Sequence, residues 1–85
     1  MAYFAQVVKN RVDEVIVVAD DDCGGGDFPE SEPIGQAFIA SLGITGEFLQ
    51  TSIDGLFRGA YAGIGYTYDP NLDIFVMPTN EEITE

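Results

Sequence analysis

The run from Arg58 to Met77, RGAYAGIGYTYDPNLDIFVM, constrains this chain more than any other stretch. Asp69-Pro70-Asn71 is a turn signature: proline is preset for the second turn position and asparagine tolerates bridge or left-handed geometry. The strand Gly65 to Tyr68 precedes it and the apolar strand Ile74 to Met77 returns, so a β-hairpin is predicted. Glycines at 59, 63 and 65 thin the approach, which predicts a bulge or a close contact with a backbone or ring. The other segments are expected to pack against this hairpin.

The remaining elements are readable in chain order. Tyr3 to Val8 and Val12 to Ala19 are rich in β-branched and aromatic residues and are separated by Lys9, Asn10 and Arg11, predicting a second hairpin. Neither strand has a cleanly polar face. Cover on both sides is therefore expected, by the helix on one and by a second subunit or another sheet on the other. Ser31 suits a helix N-cap, Pro33 its first turn and Gly43 its left-handed end. Between them Ile34, Ala37, Phe38, Ser41 and Leu42 share one helical face, with Ile39 at its edge, and Ser41 reads as a small residue at a packing site. Glu47 to Ile53 reads as a strand, followed by an Asp54-Gly55 turn. The fold class is α+β: a small antiparallel sheet with one helix on a face, in the order β-β-α-β-β-β.

At 85 residues the chain is one domain, 1–85, and a domain of this size buries only roughly 60% of the surface its unfolded chain exposes. Apolar residues make up 46% and aromatics 12%, enough for a core. No apolar run approaches the roughly 18 residues of a membrane span, and the N-terminus lacks a leader pattern. Residues 79–85 read as a frayed tail.

Charge narrows the partners. Three basic residues, Lys9, Arg11 and Arg58, stand against fifteen acidic ones for a net charge of −12. Such a field repels phosphate backbones, which excludes nucleic-acid binding. It suits solubility in a salty medium, a cation-binding surface, or a basic protein partner, the last including an acidic mimic that occupies a basic host surface.

Residues 20–32, DDDCGGGDFPESE, form a flexible acidic loop rich in glycine. Asp20, Asp22 and Asp27 are candidate oxygen ligands for calcium, or for another divalent cation with hydrolytic potential. The distal glutamate and flanking helices of an EF-hand are missing, so a solvated loop competes with that reading. Cys23 is the single cysteine and histidine is absent, which removes an intrachain disulfide and the usual general base. Gly63-Ile64-Gly65 lacks the βαβ context of a nucleotide site. Tyr61, Tyr66 and Tyr68 are candidate interface residues, since tyrosine favours interfaces; half-buried sheet packing explains them equally.

The segments AYFAQV, VIVVADDD, GQAFIASL, LQTSIDGLFRGAYAGIGYTYD and DPNLDIFVMP resemble small proteins of marine cyanophages and related tailed bacteriophages. The resemblance covers most of the chain in register. Members often continue into a proline-rich segment and a Pro-Ser-Trp element, from which Met77-Pro78-Thr79-Asn80 departs. The resemblance implies a phage setting, the host cytoplasm during infection or the virion, and leaves the molecular role open. Joined to the two-sided apolar strands, the small size and the tyrosines, it leads to the expectation of a non-enzymatic virion structural or accessory protein acting through self-association or contact with other phage proteins. It assigns no functional residue.

Overall fold

A computed structural model describes residues 1–59 and 61–77. Pro78 and the tail 79–85 lie outside the described residues. Five strands and one helix follow the expected order: β1 (Ala2–Val8), β2 (Arg11–Val18), α1 (Ser31–Ser41), β3 (Glu47–Thr51), β4 (Thr67–Asp69) and β5 (Ile74–Val76). They form one curled antiparallel sheet ordered β3-β1-β2-β4-β5, so the α+β class holds.

The organising strand is β1, not the late hairpin. All seven residues of β1 pair with β2, and five of them pair with β3 on the other side. The β1–β2 turn is only Lys9 and Asn10, both left-handed at φ 53° and 63°. Positive φ at both central residues is the geometry whose twist matches a two-residue hairpin, and it leaves Arg11 inside β2. One bulge follows: Gln6 faces Glu14 and Val7 faces Val12, so Asp13 is the extra residue. The bulge turns Val12 and Val15 to the same side although three positions separate them.

That side carries Ala5, Val7, Val12, Ala62 and Phe75, with Val15, Leu49, Tyr66 and Tyr68 around them. The other carries Ala2, Phe4, Val18, Cys23, Ile39 and Phe48, with Ile16 and Phe38. Both faces of β1 are covered, as its two-sided apolar pattern requires. The second layer comes from residues 61–76 of the same chain, where the sequence suggested a second subunit or sheet. Regular hairpin structure in the Arg58-to-Met77 run is confined to β4 and β5. Before it the chain is irregular, and Gly65 N–H donates to Val12 O (2.9 Å) while Val12 N–H donates to Tyr66 O (2.8 Å), fastening the segment to β2.

Helix α1 is present with a different inner face. Ser31, Gly35 and Ile39 are buried, at i, i+4 and i+8, whereas Ile34 is 46% and Leu42 59% exposed. Ala37 and Ser41 are also exposed, and Ser41 Oγ donates to Phe38 O at 2.6 Å. Gly35 explains the rotation: a Cβ there would lie 2.8 Å from Phe4 Cε1 and 2.9 Å from Cys23 Sγ. The helix turns its glycine to the sheet because only glycine admits the Phe4 ring, and counting apolar side chains gives glycine no weight. Ser31 is the first helical residue rather than the cap. Its Oγ donates to Gln50 Oε1 (2.7 Å), and no side chain caps the N-terminus. At the other end Gly43 is left-handed as expected, at φ 85°.

The acidic stretch is partly regular. Asp20–Cys23 makes one 3-10 turn closed by left-handed Gly24, and Cys23 is 2% exposed in the helix-side core. Among the described residues no helix is long and apolar enough to cross a membrane.

Candidate functional site

Among the described residues, Arg58 is the hub of the most concentrated polar network. Its side chain is 9% exposed, and that of its partner Glu32 is 15% exposed. The two meet in a bidentate pair, Nη1 donating to Oε2 and Nη2 to Oε1. Nη1 also donates to Gln50 O at 3.0 Å and Nε donates to Asp73 Oδ1 at 2.9 Å. The guanidinium carbon lies 5.1 Å from the centroid of the Phe28 ring, which stacks on Phe57 at 4.0 Å. Burial by itself would lower the Arg58 pKa, but the hydrogen bond and charge of Glu32, then those of Asp73, outweigh it and raise it. The cation is therefore permanent.

These contacts close the sheet. β3 is an edge strand, and its outward backbone groups would otherwise be free to pair with another chain. Instead Gln36 Nε2 donates to Phe48 O (2.6 Å), Gln50 N–H donates to Glu32 Oε2 (2.8 Å), and Gln50 O accepts from Arg58. Glu32 and Arg58 together thus present an acceptor and a donor, as a residue of a neighbouring strand would. The same Arg58 reaches the opposite edge through its backbone: Phe75 N–H donates to Arg58 O (2.9 Å), and Gly59 forms a parallel bridge with Phe75. Residues 58 and 59 therefore tie β3 to β5. The geometry is demanding, since Arg58 has φ 57° and Gly59 φ 77°, and a Cβ on Gly59 would lie 3.2 Å from Ile74 Cβ. A non-glycine residue in the left-handed region costs about 1 kcal/mol, which the side-chain contacts of Arg58 must offset.

Asp73 links the hub to Tyr68. Its Oδ1 accepts from both Arg58 Nε and Tyr68 Oη, the latter at 2.5 Å. Burial, then the hydrogen bond and charge of Asp73, push the Tyr68 phenol up to about 12. The ordinary value is about 10, so the folded state favours the protonated phenol. Its stabilising contribution is complete below about pH 10 and is lost as the pH rises to about 12. Titration by tyrosinate absorbance is expected to show a step near pH 12, and Tyr68→Phe to remove it. A step near pH 12 that is unchanged in the variant would contradict the Tyr68–Asp73 bond.

The residues singled out in the sequence fall in three places. Tyr61, Tyr66 and Tyr68 are all half-buried against this chain's own sheet. Tyr61 meets Tyr3 edge-on at 5.8 Å, Tyr66 lies over Gly63, and Tyr68 packs on Phe75 at 5.4 Å. Asp20 and Asp27 line one groove of about 420 Å3 beside Phe28, Leu56 and Phe57, while Asp22 is not among its lining residues. Among the described residues no three His, Cys, Asp or Glu side chains gather into a metal-holding group. Asp20 accepts instead from the ammonium of Met1 at 2.8 Å, an exposed pair. Burial, then Asp20 and Asp22, raise the Cys23 thiol pKa, so the thiol stays protonated and unreactive at neutral pH.

The hub itself was not anticipated from the sequence. A usable signal was present: Arg58 is one of only three cations in a chain with fifteen acids, and it sits inside an apolar run, where an arginine is rarely buried without a partner. Chemically the hub holds and shapes; Arg58 and Glu32 spend their donors and acceptors on each other and on β3. No protein-family model matches this chain, and neither a curated protein nor a solved structure matches it.

Proposed function

We propose that this is a non-enzymatic structural or accessory protein of a tailed phage, working through contact with copies of itself or with other virion proteins. The observation that supports this reading is the placement of large apolar side chains on the outside of a domain whose sheet edges are occupied internally. Leu56 is 81% exposed, Ile64 72%, Leu72 66% and Ile53 56%. Each such side chain stabilises an interface by roughly 1.5–3 kcal/mol when fully covered. With Arg58 and Gly59 occupying both edges at their centre, association proceeds through side-chain surfaces and not by adding strands. Light scattering over a concentration series is expected to show a rising mass, and mass spectrometry of purified virions is expected to find the chain's peptides. A strict monomer at high concentration whose peptides are absent from virions would overturn the proposal.

A further inference from the structure

The groove beside the Arg58 hub has a composition that the hub does not use. Its aromatic wall is Phe28 stacked on Phe57 with planes 3° apart, and Leu56 stands at its lip, 81% exposed. Arg58 packs over Phe28, and the two rings are already stacked in the unliganded chain. The rim is acidic: Asp20 and Asp27 line it, and Asp21, Asp22 and Glu30 lie next to them in the chain, all exposed. The chain's side-chain cations are committed or remote. Arg58 is bound to Glu32 and Asp73, and Lys9 and Arg11 sit at the β1–β2 turn. The Met1 ammonium lines the groove too and pairs with Asp20 Oδ1 at 2.8 Å, whereas Asp27 has no ion pair among the described residues.

We infer that this groove is a docking site for a lysine- or arginine-bearing segment of a partner protein, the methylene stem lying along Leu56 and Phe57 and the cationic head reaching Asp27. Long basic side chains are suited to such a surface because they cover apolar area while keeping their charge in water. The net charge of −12 adds long-range attraction for a basic partner. The inference rests on the reading of the chain as a protein-contact module and gives that reading a partner class and a site.

The test is a titration of the isotope-labelled full chain, followed by amide chemical shifts. The probe is an acetylated, amidated peptide alternating alanine and lysine, and the same peptide with glutamate for lysine is the control. Saturable shifts are expected at Gly26, Asp27 and Phe57 with the lysine peptide alone. The variant Asp27→Asn/Leu56→Ser, both at exposed positions, is expected to weaken binding at least about fivefold. Asp13→Asn/Glu14→Gln, which removes two exposed charges toward the other end of β2, is expected to change it less than about twofold. Shifts that avoid the groove, no saturable shift, or an equal loss in the two variants would overturn the inference, the last by reducing it to diffuse charge. If the peptide fails while the chain associates or is found in virions, the groove assignment falls and the contact function stands. If it binds a chain that is monomeric and absent from virions, the reverse holds.

Discussion

Arg58→Met is expected to destabilise the protein by roughly 3–5 kcal/mol, the cost of removing one partner from a buried, hydrogen-bonded ion pair. Glu32 would be left 15% exposed without its cation, and Gln50 O would lose its donor. For a domain of this length total stability is on the order of 5–10 kcal/mol, so the variant would sit close to the unfolding threshold. Urea unfolding at neutral pH measures the effect through the midpoint. Two companion variants separate its parts. Replacing both partners, as Arg58→Met/Glu32→Leu, should be less damaging than Arg58→Met alone, because no uncompensated charge remains. Comparing Arg58→Ala with Arg58→Gly isolates the left-handed backbone at φ 57°, and the glycine variant should be the more stable by about 1 kcal/mol. Equal stabilities for Arg58→Met and the double variant would mean that the pair is solvated and weak.

Gly35→Ala should also destabilise, against the expectation from helix propensity. In an exposed helix interior the change gains about 1 kcal/mol. Here the added methyl would lie 2.8 Å from Phe4 Cε1 and 2.9 Å from Cys23 Sγ, and Phe4 is 0% exposed, inside the helix-side core. Overpacking a full core costs typically about 1–3 kcal/mol, and losing the glycine's close approach also displaces α1 from β1, so a net loss of about 1–2 kcal/mol is expected. Pairing Gly35→Ala with Phe4→Leu should recover part of the loss relative to the sum of the single variants. A thermal midpoint that rises in Gly35→Ala would show that α1 does not seat Gly35 on Phe4.

The contrast between these two residues shows what was legible in the sequence. Strands, helix and their order follow from β-branched runs and from punctuation by Lys9-Asn10, Gly43 and Asp69-Pro70, because period and turn chemistry are local. The centre of the sheet is not legible locally, since pairing on both sides is a property of β1 that depends on β3, about 40 residues away in the chain. The inner face of α1 is not legible in the sequence because Gly35 contributes by having no side chain. The hub was hidden for a related reason: Glu32, Gln50, Arg58 and Asp73 show no spacing pattern, and only the curl of the sheet brings them together. The groove residues were partly visible, as Asp20 and Asp27 were singled out, but the aromatic wall arises from a loop-to-loop stack of Phe28 on Phe57 that no periodicity announces.

Amide hydrogen exchange at Gln50 tests most directly whether side chains seal the edge of β3. That N–H points away from β1 and donates to Glu32 Oε2 at 2.8 Å, so its protection depends on the Arg58–Glu32 pair holding that carboxylate in place. In the unaltered protein it should exchange as slowly as the β1–β3 ladder amides, and in Glu32→Ala, under conditions where the fold persists, it should become fast while Leu49 stays slow. Rapid exchange of the Gln50 amide in the unaltered protein, beside a protected Leu49, would show that the edge is open and would contradict the sealed sheet.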